Sequence, residues 1–339
     1  MRRRVYVILP VVLALVMLGG CVQRGDRRST GQQRDAVAVA VTPVDIPAVV
    51  RAVEPSIVTI YAGQGLGSGI VYKDDGVIVT NEHVVHGVQQ VRVAFADGRR
   101  VDGQVLATDA VSDLAVVRVS RSGLPAVRFE TALPAVGALA IALGSPLGFA
   151  NSATAGIVSG LGRTIPSGGE QGQPLVDLIQ TDAAISPGNS GGALVNGAGA
   201  VVGVNEAYIP PSAGAVSLGF AIPAATAVDV VQQLLTKGQA AHAYLGIQPA
   251  LLTPDIAKEL GVDRAEGVVV LAVVPKGPAA AAKVRPGDII QRLGATPTPT
   301  PSDLYAALRR YQPGDKVDLR IVRDRAEETV TVTLGSRPS

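Results

Sequence analysis

The sequence is poor in cysteine, histidine and aromatic side chains. It contains one cysteine, three histidines and no tryptophan, and aromatic residues make up 3% of its 339 residues. A single cysteine excludes an intramolecular disulfide. His83 and His86 are three residues apart, but no third ligand follows at a spacing typical of a zinc site. We therefore expect neither a disulfide framework nor a bound metal.

An excess of charge of one sign is also lacking. The formal net charge is +2, and it includes Arg2, Arg3 and Arg4 at the N-terminus. Without these three arginines the chain is close to neutral, so its composition gives no indication of a basic surface for nucleic acid. We expect no nucleic-acid partner.

Small and aliphatic residues dominate the composition instead. Hydrophobic residues make up 47% of the chain, which is enough for packed cores and excludes global disorder. They are mostly valine, alanine, leucine and isoleucine, and the many valines favour strands. The 39 glycines and 23 prolines indicate many turns between short strands. A chain of this length is expected to hold about two domains.

The N-terminus has the pattern of an export signal. Arg2, Arg3 and Arg4 precede an apolar run, Val5–Leu18, which is shorter than the roughly 20 residues that a membrane-spanning helix prefers. The run ends at Cys21 in a sequence that resembles a bacterial lipobox, which predicts a signal peptide over residues 1–21 and lipidation of Cys21. An uncleaved membrane helix and a cleaved soluble signal are the alternatives, and all three place the remaining chain outside the cytoplasm.

Residues 22–45 are predicted to form a flexible linker. The segment is polar and has no hydrophobic periodicity. Such a segment cannot bury enough apolar surface to offset the entropy of ordering it. We expect it to act as a tether between a membrane anchor and the folded chain.

The most informative stretch of the sequence surrounds Ser190. It reads Gln-Thr-Asp-Ala-Ala-Ile-Ser-Pro-Gly-Asn-Ser-Gly-Gly-Ala over residues 180–193. Glycines on both sides of a serine allow a tight loop that exposes the hydroxyl and directs main-chain N–H groups into one small space. Acyl transfer requires this combination of a nucleophile and donors for an oxyanion. Taken alone, the stretch is equally typical of a surface turn.

Two upstream stretches favour the catalytic interpretation. His83 follows an apolar run in Thr-Asn-Glu-His-Val-Val, and Asp113 precedes another in Ser-Asp-Leu-Ala-Val-Val. A serine needs a base with a pKa near 7, and that base needs an acceptor that fixes its tautomer. His83, Asp113 and Ser190 supply these groups in the chain order of chymotrypsin-type enzymes. The three segments resemble those of the HtrA/Deg family of ATP-independent serine proteases, over roughly residues 53–335.

This resemblance implies a mainly β fold. We expect a chymotrypsin-like double six-stranded β-barrel over residues 46–240, followed by one PDZ domain, a small α/β fold, over residues 244–335. The apolar periodicity of Ala224–Lys237, with Gly238 after it, predicts a helix at the end of the protease domain. Ser302–Tyr311 is expected to form the helix beside the PDZ groove.

The resemblance also implies the residues of the site. His83, Asp113 and Ser190 are expected to be catalytic, with an oxyanion hole formed at Gly188, Asn189 and Ser190. The expected substrate-binding residues lie in the loop before Ser190 and on a later strand: Ile185, Asn205, Glu206, Ala207 and Tyr208. Glu206 stands where the family often has threonine, and Tyr208 where it usually has an aliphatic residue. We expect a small or medium apolar side chain in the P1 pocket.

The C-terminal part resembles a bacterial PDZ domain. The sequence Tyr244-Leu245-Gly246-Ile247 is similar to the loop whose N–H groups hold a peptide carboxylate, and Arg285-Pro286-Gly287-Asp288 follows in the order typical of these domains. The groove is expected to capture apolar C-termini, such as those of misfolded proteins. His242, at the domain boundary, is expected to lie at the surface.

The sequence therefore predicts a serine endopeptidase of the cell envelope that needs no cofactor. The expected substrates are unfolded or misfolded polypeptides, and the resemblance suggests a homotrimer held at the membrane by its N-terminus. The alternative is a latent protease that acts mainly as a PDZ-containing chaperone or stress sensor.

Overall fold

The computed structural model describes residues 44–145, 152–165, 174–209, 218–262 and 266–336. Cys21, the predicted signal peptide and nearly all of the predicted linker lie outside the described residues. Within the described part, no helix has the length and apolar character that crossing a membrane requires.

The first domain begins with a helix that the sequence analysis did not predict. Helix α1, Ile46–Val53, starts at Asp45, whose side chain accepts a hydrogen bond of 3.0 Å from the N–H of Ala48. An aspartate in this position satisfies one of the free N–H groups at a helix start. Ile46 and Val53 face the protein interior, so the helix closes one side of the core.

Six strands then form a first closed barrel. In chain order they are β1 Ile57–Ala62, β2 Gly65–Lys73, β3 Val77–Thr80, β4 Gln90–Ala94, β5 Arg100–Asp109 and β6 Leu114–Val119, with the short helix α2, Glu82–Val85, after β3. The strands pair antiparallel in the order β1-β2-β3-β6-β5-β4. Alternate valines and isoleucines fill the interior, because successive side chains of a strand point to opposite faces. The predicted first barrel is confirmed.

A second closed barrel follows. Its strands are β7 Leu139–Gly144, β8 Ser152–Ile165, β9 Leu175–Thr181, β10 Ala193–Val195, β11 Val201–Ile209 and β12 Leu218–Pro223. They close in the order β10-β11-β12-β9-β8-β7. One hydrophobic cluster contains Ile70 and Leu114 of the first barrel together with Leu143 and Ile222 of the second. The two barrels therefore share a core and hold a fixed relative position.

Helix α3, Ala224–Lys237, ends the barrel domain where the sequence predicted it. Gly238 follows in a left-handed conformation with φ 74°, and its N–H donates to the carbonyl of Leu234. Glycine suits this position because it has no Cβ penalty there. Ala227, Val231 and other apolar residues of the helix are buried against the shared core.

The remaining residues form a small α/β domain with its own core. A five-strand path, β14-β15-β16-β18-β19, is extended by β17 beside β16, and β13 pairs with β20. The elements are β13 Ala243–Tyr244, β14 Ile247–Leu251, α4 Pro254–Glu259, β15 Val268–Val273, α5 Pro278–Ala281, β16 Ile289–Leu293, β17 Thr296–Pro297, α6 Pro301–Leu308, β18 Lys316–Arg323, β19 Ala326–Thr333 and β20 Gly335–Ser336. This is the small α/β arrangement that the sequence predicted for the C-terminal part of the chain.

The helix beside the groove is shorter than predicted. Helix α6 begins at Pro301 rather than Ser302, because Thr300 and Asp303 form a reciprocal capping box at its start. It ends at Leu308 instead of Tyr311, and the following residues form a turn.

Candidate active site

The loop between β9 and β10 carries Ser190 in a tight turn. Gly191 has a φ of +82°, and a Cβ at this residue would collide with the carbonyl oxygen of Ser68 and the hydroxyl of Thr80. Gly192 is equally crowded, against the carbonyl of Leu143. The glycines are therefore required by close approach as well as by backbone angle. The loop predicted from glycine content is present in the structure.

Ser68 clamps this loop to the first barrel. Its main-chain N–H donates to the Ser190 carbonyl at 2.8 Å, and its hydroxyl donates to the Gly188 carbonyl at 2.6 Å. The same hydroxyl accepts the N–H of Ser145 from the second barrel at 2.7 Å. Because these groups are buried, their hydrogen bonds fix the loop relative to both barrels.

His83 and Asp113 form a hydrogen-bonded pair. Nδ1 of His83 lies 2.7 Å from Oδ2 of Asp113, and the main-chain N–H of His83 donates to Oδ1 at 2.9 Å. Asn81 adds a bond from its side-chain N–H to the Asp113 carbonyl. Asp113 adopts a left-handed φ of 52°, a conformation that aspartate tolerates better than most residues. The contacts hold the carboxyl in one orientation, with 3% of Asp113 exposed.

The pKa of His83 lies above its ordinary value. Burial lowers it, but the hydrogen bond and charge of Asp113, with smaller effects of Glu206 and Glu82, together outweigh burial. The His83 side chain is still 41% exposed, so a substrate can reach it. A histidine fixed by one carboxyl and open on its other side has the arrangement of a general base.

The hydroxyl of Ser190 donates to the main-chain carbonyl of Glu206 at 2.7 Å. Its proton is therefore directed at strand β11 in this arrangement. Among the described residues, the main-chain N–H groups of Gly188 and Ser190 donate to no protein acceptor. Asn189, between them, donates its N–H to Ser186 and accepts from Gly192 in the turn. The two N–H groups thus remain for a ligand, and Asn189 shapes the turn.

The Glu206 side chain is buried beside the His83–Asp113 pair. Only 4% of the residue is exposed, and ligand atoms of His83, Asp113 and Glu206 all lie within 4.8 Å of one another. The sequence placed Glu206 among the substrate-binding residues. In the structure its carbonyl accepts a hydrogen bond from the Ser190 hydroxyl, and a carboxyl oxygen of its side chain lies within 4.8 Å of one of Asp113.

The other predicted substrate-binding residues have different positions. Asn205 is fully buried and donates from its side chain to the carbonyls of Leu143 and Ala193, at 3.0 and 3.1 Å. It also exchanges main-chain hydrogen bonds with Gly191 and Gly192, so it supports the serine loop. Ile185 is buried and packs against Gly219 of β12. Ala207 and Tyr208 lie within β11.

The predicted carboxylate loop lies at the start of β14. Gly246 has a φ of +77° and packs between Tyr244 and Pro278. Leu245 is buried in the domain core, and its carbonyl accepts from Ala279. Ile247 then begins β14. The loop turns sharply at Gly246, as a loop that cups a terminal carboxylate must do.

A cavity of about 320 Å³ extends from this loop to the barrel domain. Helix α6, β14, helix α3 and the loop before Asp113 border it, and its lining includes Val111, Ser112, Leu245, Gly246, Leu304 and Leu308. The lining combines apolar side chains with polar and charged ones such as Ser112 and Arg309, a mixture that is common in ligand sites.

Side chains of Asp109, His242 and Arg309 connect the two domains beside this cavity. Nε2 of His242 lies 2.9 and 3.0 Å from the two carboxyl oxygens of Asp109, which also accepts the N–H of Ser112. Burial raises the pKa of Asp109, but its contacts with His242 and Ser112 bring it below the ordinary value. Arg309 of the C-terminal domain donates to the carbonyl of Val111 at 3.3 Å. Both contacts are made by residues of the segment that connects Asp109, at the end of β5, to Asp113.

The sequence analysis did not predict these contacts between the two domains. His242 was expected at the surface, but its side chain is only 18% exposed because Asp109 and the C-terminal domain cover it. Asp109 ends β5 and offered no signal beyond an ordinary strand-end carboxylate. The glutamate at position 206 was recognised as unusual from the sequence. Its position close to Asp113 in the fold could not be recognised in that way.

Comparisons with known proteins agree with this geometry. A family model described as a trypsin-like peptidase domain matches residues 67–204, and one described as a PDZ domain matches residues 243–334. The fold is therefore that of a trypsin-like serine peptidase domain joined to a PDZ domain.

Individual relatives narrow this class. The serine protease HhoB of Synechocystis sp. is 42% identical over 286 residues, which cover 81% of this chain and 67% of HhoB. A DegP-like periplasmic serine endoprotease of Pseudomonas fulva is 38% identical over 277 residues, covering 81% of this chain and 57% of the relative. The solved structure of the HtrA-type protease AlgW with a decapeptide has a TM-score of 0.72 at 31% identity, covering 86% of this chain and 98% of AlgW.

The chain belongs to the HtrA-type serine proteases. It spans slightly more than half the length of the DegP-like relatives and about two thirds of HhoB. The predicted family and fold are confirmed.

Proposed function

We propose that this protein is an ATP-independent serine endopeptidase with Ser190 as nucleophile, His83 as general base and acid, and Asp113 as the residue that orients His83. The observation that carries the proposal is the fixed His83–Asp113 pair beside a serine loop clamped between two barrels. Family membership supports the same roles.

The proposed reaction uses the groups that the structure brings together. Ser190 turns its hydroxyl from the Glu206 carbonyl towards His83, which removes the proton as the serine attacks a peptide carbonyl. Asp113 stabilises the imidazolium, and the N–H groups of Gly188 and Ser190 bind the oxyanion. His83 then gives the proton to the leaving amine, and water hydrolyses the acyl-enzyme by the same route.

We propose that substrates pair with β11 as extended chains and place a small or medium apolar side chain at P1, beside Ile185 and Tyr208. Strand addition provides affinity through the main chain, so unfolded or misfolded polypeptides of varied sequence are suitable substrates. Apolar C-termini are proposed to bind at Tyr244, Leu245, Gly246 and Ile247. The decapeptide in the AlgW structure supports peptide binding as a property of the family.

We further propose an extracytoplasmic location, held by a lipid on Cys21, and assembly as a homotrimer. The periplasmic assignment of the DegP-like relatives supports the location. Mass spectrometry of the membrane fraction, comparing the chain with Cys21→Ser, tests the anchor. Analytical ultracentrifugation of the detergent-solubilised chain tests the trimer.

The activity test uses the full chain in mild detergent without ATP. An unfolded, disulfide-free protein is offered as substrate, and a fluorophosphonate label reports the nucleophile in parallel. Cleavage and labelling that both disappear in Ser190→Ala establish the proposed function, and the cut sites define P1. If neither occurs, with or without an apolar C-terminal peptide, the proposal is wrong.

A latent protease that acts mainly as a chaperone or sensor is the alternative function, and the named relatives, which are serine proteases, do not favour it. The Ser190 hydroxyl points to the Glu206 carbonyl, so the nucleophile is at rest in this arrangement. A latent enzyme would bind unfolded protein without cutting it until a PDZ peptide is added. Constitutive cleavage without peptide would exclude latency.

A further inference from the structure

Glu206 places a second carboxyl group next to the one that orients His83. It lies on β11 and is 4% exposed, and one of its carboxyl oxygens lies within 4.8 Å of an oxygen of Asp113, which is 3% exposed. Asp113 already accepts two hydrogen bonds from His83. Two buried carboxylates within 4.8 Å of each other would repel, and burial disfavours a charge that has no partner. The arrangement therefore requires a proton between the two carboxyls.

The unpartnered oxygen of Glu206 indicates where that proton belongs. Among the described residues, Oε2 of Glu206 is buried and has no hydrogen-bond partner. An ionised carboxyl would leave half of its charge unsatisfied there. A neutral acid leaves only a carbonyl-type oxygen, which costs less to bury.

We propose that Glu206 is a neutral carboxylic acid that donates a hydrogen bond to Asp113 and thereby acts as a positioning residue for the His83–Asp113 pair. This inference rests on the proposed serine peptidase function. Buried acids held neutral near pH 7 in order to donate are known in other enzymes.

A shared proton explains this cluster better than a metal ion. Nδ1 of His83 and Oδ2 of Asp113 are 2.7 Å apart, the separation of a direct hydrogen bond, and the His83 main chain holds the other oxygen. A metal bound by all three residues would have to break this pair. The cluster therefore serves to hold protons.

Few charged groups act on Glu206. Burial and the neighbouring Asp113 raise the pKa of Glu206 to about 8, and His83 opposes them. Glu82, next to His83, acts on the histidine. Helix α3, which packs against β11, carries Asp229 and Lys237, while β10 and β12 carry no charged residue.

The consequence is an alkaline limit to activity. Above the pKa of Glu206 its proton is lost, the bond to Asp113 breaks, and the two carboxylates repel. His83 then loses its fixed orientation, so kcat/KM should fall by about tenfold per pH unit, as expected for one ionisation. The acidic limb of the profile still reports His83.

The first test compares pH profiles of kcat/KM for the full chain in detergent, using a peptide with an apolar P1 residue. Glu206→Gln keeps a donor and cannot ionise, so we expect activity within a few-fold of wild type at pH 7 and no alkaline limb. Glu206→Leu removes the donor and should lower kcat at least tenfold at pH 7. Glu206→Thr serves the same purpose as Gln if the amide variant does not fold. An alkaline limb that persists in Gln and Thr, or a Leu variant as active as Gln, would overturn the proposal.

The second test does not depend on activity. The infrared difference spectrum between wild type and Glu206→Gln at pH 7 should contain the carbonyl band of a protonated carboxylic acid, and the band should disappear above the pKa of Glu206. Absence of the band at pH 7 would refute the proposal. Fluorophosphonate labelling of Ser190 separately decides the peptidase function, so failure of one proposal is distinguishable from failure of the other. A chelator should leave the profile unchanged, and a shift would indicate a metal instead of a proton.

Discussion

Replacing Glu206 by glutamine should stabilise the folded protein at alkaline pH. The ordinary pKa of a glutamate is 4.5, and burial with the adjacent Asp113 raises that of Glu206 to about 8 in the fold. Between these values the folded state binds one proton more than the unfolded state. Stability from this residue is therefore complete below pH 4.5, falls as pH rises, and reaches its minimum above pH 8.

The magnitude follows from the displacement of the pKa. Each pKa unit corresponds to about 1.4 kcal/mol, so a shift from 4.5 to about 8 gives a destabilisation on the order of 4–5 kcal/mol at pH 9. For a domain of this size, 1 kcal/mol changes Tm by roughly 2 °C or slightly more. Glu206→Gln should then melt about 10 °C above wild type at pH 9, with little difference at pH 5.

The assay is thermal unfolding of the full chain in detergent from pH 5 to pH 9. Glu259→Gln, the same chemical change at an exposed residue of α4, serves as the matched control. The difference between Glu206→Gln and wild type should grow with pH, and the difference for the control should not. A Glu206→Gln difference that stays constant across the range would refute the reasoning, because it would mean that Glu206 ionises alike in the folded and unfolded states.

Three further predictions concern Asp113, Gly191 and the contact between Asp109 and His242. Asp113→Asn should lower kcat by about 10⁴-fold in a peptide cleavage assay while the Tm changes little, because the histidine tautomer is lost but the backbone remains; an effect below tenfold would contradict the role of Asp113. Gly191→Ala should cost more than 2 kcal/mol in chemical denaturation, because φ is +82° and Ser68 leaves no room. The control Gly87→Ala has φ +70° but open space around its Cβ, so an equal loss would show that crowding is irrelevant. Asp109→Asn should destabilise the fold by about 1–3 kcal/mol at pH 7, because the partner of His242 loses its charge. That difference should shrink as pH falls through the lowered pKa of Asp109, and a difference independent of pH would contradict the contribution of an ionised Asp109.

Much of the architecture could be predicted because its determinants are local. The helix Ala224–Lys237 needed only apolar periodicity and a terminal glycine, and both are visible in the sequence. The short helix Ile46–Val53 was missed although Asp45 caps it, because its apolar residues match a strand or a linker equally well. The start of α6 differs by one residue because the cap at Thr300 decides it.

The site was only partly predictable, for a physical reason. His83, Asp113 and Ser190 each lie in a distinctive local sequence, whereas their surroundings depend on contacts between distant residues. Glu206 of the second barrel approaches Asp113 of the first only because the two barrels pack together. His242 meets Asp109 across 133 residues of chain. Neither contact leaves a pattern in the neighbouring residues, so the sequence alone could not reveal them.

Strand β11 has a consequence for anyone who wishes to redesign this protein. Asn205 braces the serine loop, the Glu206 carbonyl takes the Ser190 hydroxyl, and the Glu206 side chain contacts Asp113. The next residues, Ala207 and Tyr208, lie on the edge proposed to receive substrate. The proposed roles in specificity and in acid–base chemistry therefore fall on four consecutive residues. Libraries that vary this edge for new cleavage preferences will also alter the working pH, so selections should be run at more than one pH.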